Sequence, residues 1–141
     1  MRPRAWDEGI GTGIPSIDSE HRLQVGLVNA LEEQLREGRD PAPAAATLAQ
    51  LLDFSRAHFH AEELLMRLHA YPQYDAHALE HGRLLEQLRE IERSASAEDR
   101  PRALELVVAL RSWLTGHITA FDQAFALWCA RQGIRPDLPV K

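Results

Sequence analysis

Apolar residues along this chain recur every three to four positions in long stretches, and glycine and proline interrupt those stretches at a few places. That period is the signature of amphipathic helices. Asp18 is placed to cap a first helix, with Ser19 and Glu20 in its first turn, and His21, Val25, Val28, Leu31 and Leu35 form one stripe. Gly38 is expected to stop it. Asp40 followed by Pro41 reads as an N-cap with proline at the first helical position. The second helix carries Leu51, Ser55, His58, Glu62 and Leu65 on one face, and Pro72 breaks it. A third helix has His77, His81, Leu84, Leu88 and Ile91 in register. Asp99 and Pro101 open a fourth, whose expected inner face is Leu106, Leu110, Trp113, His117 and Phe121, ended by Gly133 and Pro136. There is no β-alternating run, low-complexity segment or internal repeat.

Four such helices joined by short connections pack best as an all-α, antiparallel up-down-up-down bundle. The expected organisation is an N-terminal arm over residues 1–18, the bundle over 19–133 and a short tail over 134–141. At 141 residues the chain is one domain by length and large enough to bury a core without disulfides. Its one cysteine, Cys129, excludes an internal disulfide and a CxxC metal motif, and reads as a small buried hydrophobe. Sixteen basic against 21 acidic residues give a net charge of −5, which argues against a nucleic-acid or anionic-membrane surface. The arginine-containing start lacks an apolar segment of signal-peptide type, and no apolar run approaches a membrane span, so a cytoplasmic location is expected.

The histidines change the picture. Seven occur, five of them between residues 58 and 81, and each of the four helical stripes contains at least one. A lone histidine on an apolar face is usually a core residue with a nearby hydrogen-bond partner. Here His58 and Glu62 are i, i+4 on one helix, His77 and His81 are i, i+4 on the next, and His21 and His117 project from the other two. Asp122 follows one further turn along. Burying five imidazoles and two carboxylates together is costly unless a cation binds them. A metal does so through neutral imidazole and ionised carboxylate. Seven ligands exceed the needs of one tetrahedral zinc and suit two octahedral metals sharing the carboxylates; this donor set without thiolate favours iron, with zinc and manganese also compatible. His117 and Asp122 are five residues apart, about 140° around an ideal helix. If both reach one metal pair, a π-bulge near residues 117–122 is predicted, or else Asp122 reaches in from the flank.

The series His21, "HFHAE" (His58, Glu62), "HALEH" (His77, His81) and "HITAFD" (His117, Asp122) resembles the hemerythrin signature, in its single-domain bacterial form, over nearly the whole chain. The resemblance implies a non-haem, oxo- or hydroxo-bridged di-iron centre. His77, His81 and His117 would hold a saturated iron, His21 and His58 an iron with one open position, and Glu62 and Asp122 would bridge them. It implies O2 bound end-on at the open position inside an apolar pocket, for which Phe59, Trp113, Leu114 and Ile118 occupy the matching positions. Trp6 resembles a family feature in which the arm packs on the bundle. His60 and His69 have no ligand role in the pattern, and Glu63 is expected beside the site or solvated.

The implied function is reversible dioxygen binding for carriage, storage or delivery, by a monomer that is not an enzyme. An O2-consuming enzyme or a signalling protein is the partner class this implies. Two alternatives belong to other classes. A di-iron oxidase, peroxidase or NO-reducing enzyme is disfavoured because no Glu-x-x-His motif occurs and the donor set is rich in imidazole. An O2 or redox sensor is expected to need a separate partner, since no output domain is expected beside the bundle.

Overall fold

The computed structural model describes residues 11–38 and 40–136. Its elements are α1 (Pro15–Glu37), α2 (Ala42–Leu68), α3 (Tyr74–Ser96), α4 (Arg100–His117), a π-helical segment (Ile118–Asp122) and α5 (Gln123–Arg131). The last three run on as one continuous rod, so the chain makes four rods. Each rod packs against its neighbours in chain order, and the first also packs against the fourth. That is the up-down-up-down antiparallel bundle expected from short connections.

Several punctuation marks act differently from their sequence reading. The first helix begins at Pro15, not after Asp18. Asp18 lies in its first turn, and its carboxylate accepts from the Thr12 amide and hydroxyl and the Gly13 amide, tying the incoming chain to the helix start. Pro41, rather than Asp40, occupies the cap position of α2, while the Asp40 carboxylate accepts from the Ala42 amide. Gly38 ends α1 without a left-handed turn: its φ is −74°, and glycine is needed because a Cβ would stand 2.7 Å from the Gln34 carbonyl oxygen. Asp99 caps α4 as expected, accepting from the Arg102 amide. Left-handed residues close three of the helices: Ala70 at φ 55°, Glu98 at 60° and Gly133 at 71°. The amide after each bonds a carbonyl five residues back, Tyr71 to Met66, Asp99 to Ser94 and Ile134 to Cys129. Trp6 lies outside the described residues.

The interior is divided. A large apolar cluster runs from Val25 to Leu35, Leu48 to Phe59, Leu84 to Ile91 and Ala103 to Ile118. A smaller one gathers Ile14, Ile17, Leu65, Met66, Tyr71, Phe125 and the free thiol Cys129 at one end of the bundle. The break between the two clusters falls at His21 on the first rod, Glu62 on the second and Asp122 on the fourth, so the polar layer is covered from both sides.

The face of α4 is rotated from the expected one. Ala103, Val107, Leu110, Leu114 and His117 are buried, whereas Leu106, Trp113 and Phe121 are half-buried. Among the described residues no helix is long and apolar enough to cross a membrane.

Candidate metal centre

The seven residues named from spacing converge. His21, His58, Glu62, His77, His81, His117 and Asp122 are each no more than 3% exposed. One group of possible ligand atoms comes from Glu62, His77, His81, His117 and Asp122, a second from His21, His58 and Glu62, and within each group the atoms lie within 4.8 Å of one another. Glu62 belongs to both. Its Oε2 is 3.0 Å from His58 Nε2 and 3.3 Å from His21 Nε2, while Oε1 is 3.1 Å from His81 Nε2. Asp122 spans the groups likewise, with Oδ1 2.8 Å from His77 Nε2 and 3.2 Å from His117 Nε2, and Oδ2 3.0 Å from His21 Nε2.

Asp122 reaches this position through the backbone. The Gln123 amide bonds the Ile118 carbonyl, five residues back, so the widened turn brings residues 117 and 122 onto one side. The Thr119 hydroxyl donates to the Thr115 and Gly116 carbonyls on the rod's outer side. The bulge anticipated from the five-residue step is present over Ile118–Asp122.

Proton positions test whether these residues suit a metal. His58 Nδ1 is 2.8 Å from Glu20 Oε1, and His81 Nδ1 is 2.9 Å from Glu63 Oε2. A neutral imidazole has one N–H, and in both rings the outer carboxylate takes it. The Nε2 lone pair of each ring then faces an oxygen of Glu62, acceptor against acceptor, at 3.0 Å and 3.1 Å. The Nε2 atoms of His58, His77, His81 and His117 and both Asp122 oxygens are buried without a hydrogen bond. Only a cation between them, a proton or a metal, makes such an arrangement favourable. The donor set therefore fits a pair of metal ions, and Glu20 and Glu63 orient one imidazole in each group.

The same electrostatics act on protons. Burial alone would lower the pKa of His21, but the Asp122 and Glu62 carboxylates beside it outweigh that and lift the group to about 10. His81 is lifted to about 9, against burial, by Glu62 and Glu63. Burial opposes ionisation of Glu62 and Asp122 as well, yet the surrounding histidines hold both well below the usual carboxylate range.

The pocket positions are less uniform than expected. Phe59, Leu114 and Ile118 are buried, and the Phe59 ring stacks on His81 with centroids 4.1 Å apart. Phe59 and Leu114 line a small cavity, whereas Trp113 is half-buried against the main core. His60 is exposed and His69 half-exposed, away from the cluster. A groove of about 640 Å³ runs between Leu31, Leu35, Leu48 and Ile91 and touches none of the seven residues. Sequence reasoning missed Glu20 as the partner of His58 because the contact crosses between helices. Its only signal is a carboxylate beside His21.

The family model for the hemerythrin HHE cation binding domain matches residues 12–128. The chain belongs to the hemerythrin family. It is 31% identical over 126 residues to the bacteriohemerythrin of Pseudomonas paraeruginosa, covering 89% of this chain and 80% of that one. The myohemerythrin of Theromyzon tessulatum is 28% identical over 120 residues, 85% of this chain and 88% of the other. A crystal structure of wild-type hemerythrin superimposes with a TM-score of 0.79 at 24% identity, covering 88% of this chain and 95% of that one. Membership implies a non-haem iron site of the O2-binding type, and the buried histidine and carboxylate cluster could bind metal.

Proposed function

We propose that this chain binds dioxygen reversibly at a two-iron centre, as a carrier, store or delivery protein and not as an enzyme. His77, His81 and His117 would hold one iron and His21 and His58 the other, with Glu62 and Asp122 shared between them. The observation that carries this reading is the unequal division of donors. Three histidines and two carboxylates gather on one side, but only two histidines join the same carboxylates on the other. The poorer side is one donor short and open to an external ligand. When bound, the iron pair supplies the electrons that hold dioxygen and takes them back on release.

The protein's own part is orientation and exclusion. Glu20 and Glu63 fix the ring planes of His58 and His81. Phe59, Leu114 and Ile118 keep bulk water from the main-core side, and the cluster around Tyr71 and Phe125 closes the other. Cytoplasmic residence as a monomer belongs to the same reading, with an O2-consuming enzyme or a signalling protein as partner. Anaerobic dialysis against Fe(II) followed by metal analysis tests it. Two irons per chain are expected, and one or none would overturn the assignment.

A further inference from the structure

The small cavity lined by Phe59 and Leu114, on the main-core side of the cluster, is not wholly apolar. It is lined by Val28, Leu51, Phe59, Leu84, Leu110 and Leu114 among others, but also by Gln24 and Ser55. Gln24 is 3% exposed and Ser55 fully buried. Gln24 stands one turn beyond His21 on α1, and Ser55 one turn before His58 on α2. The two therefore bridge the helices that carry the poorer histidine pair.

Gln24 Nε2 donates to Ser55 Oγ at 2.9 Å, and Gln24 Oε1 is buried without a partner. Turning the amide by 180° would let Ser55 donate to the oxygen but would strand the nitrogen instead. Either orientation leaves one amide atom unpaired at the cavity wall, a situation proteins avoid. In the orientation found, the Ser55 hydroxyl accepts from Gln24 and keeps its own proton to donate. The cavity measures about 10 Å³, room for one water molecule. A water there would donate to Gln24 Oε1 and accept from Ser55, two polar partners in an otherwise apolar wall.

We infer that Gln24 and Ser55 form a hydrogen-bonding subsite in this cavity, which holds one water at rest and offers a hydrogen bond to a small ligand bound beside His21 and His58. The water site stands on the cavity and the amide alone. The role toward a ligand rests on the function proposed above. The consequence is a ligand pocket with one protic corner, which distinguishes small molecules able to accept or donate a hydrogen bond from apolar ones of equal size.

Two measurements test this separately. A high-resolution crystal structure of the metal-loaded protein should show one ordered water in hydrogen-bond contact with Gln24 and Ser55. Oxygen-17 magnetic relaxation dispersion should count one long-lived water fewer in the Gln24→Leu/Ser55→Ala variant. A dry cavity in the unaltered protein overturns the inference, whether or not the variant folds. For the ligand, stopped-flow release of O2 from the iron-loaded Gln24→Leu variant should be about five- to tenfold faster, the worth of one hydrogen bond. An unchanged release rate with the water present overturns the role toward the ligand. A protein that takes up iron but no O2 would contradict the proposed function while leaving the water count intact.

Discussion

Raising the pH of the metal-free protein should destabilise it, because protons then occupy the places suited to metal. His21 and His81 have folded-state pKa values of about 10 and about 9, against 6.5 for an ordinary histidine. Folding therefore favours their protonated forms. This contribution is fully present below pH 6.5 and is lost as the pH climbs through 9 to 10. At 1.36 kcal/mol for each tenfold change, it is roughly 3 kcal/mol for His81 and more for His21, a large fraction of a small domain's stability. Glu62 and Asp122 work in the opposite direction. Their carboxyls are held well below the usual range, so their contribution is present above about pH 4.5 and fades as the pH falls further. The metal-free protein should therefore be most stable at roughly pH 4.5–6.5. Urea unfolding followed by circular dichroism at pH 6, 8 and 10 measures this directly, and the midpoint should fall at each step. Asp122→Asn should flatten the dependence, since the carboxylate that lifts His21 is gone. Metal loading near neutral pH should release at least two protons per chain, because His21, His58 and His81 all have raised pKa values and each must lose its proton to bind. A midpoint that is constant or rises between pH 6.5 and 10 would refute this electrostatic reasoning.

Other perturbations follow from the same geometry. His77→Ala should abolish stable occupancy of one metal position by metal analysis, and retention of two irons would contradict the assignment. Leu114→Ala removes a side chain that is 2% exposed beside the cavity; it should cost about 3–5 kcal/mol in urea unfolding, leave the metal count unchanged and speed autoxidation. An unchanged autoxidation rate would place the ligand pocket elsewhere. Glu98→Gly relieves a left-handed residue at φ 60° and should raise stability by about 0.5–1 kcal/mol, readable as a higher thermal midpoint.

The bundle and the seven polar positions were legible because both are written in local spacing. Residues i and i+4 share a helix face whatever surrounds them, so His58 with Glu62 and His77 with His81 could be paired before any packing was known. The irregular step from His117 to Asp122 was legible for the same reason, as a conflict between ideal helix geometry and a shared site. The phase of the fourth rod was harder to read. The stripe through Leu106, Trp113 and Phe121 follows one edge of a broad face, while Ala103, Val107 and Leu114 occupy its centre. Past His117 the π turn adds a residue, so that Asp122 points inward and Phe121 is turned toward the flank. Contacts between helices carried almost no local signal. Glu20 with His58, Gln24 with Ser55, and the buried Arg111–Glu32 ion pair each join residues at least 31 positions apart, and only packing brings them together.

The most direct test of a reversible dioxygen site is spectroscopic. The protein is loaded anaerobically with Fe(II), and visible absorption is followed as O2 is admitted, removed and admitted again. The unequal, water-excluding centre predicts a charge-transfer band that appears with O2, fades when O2 is removed and returns in full over repeated cycles. A band that never forms, or that decays at once to a product unable to regenerate it, would mean that the centre consumes O2 rather than carries it.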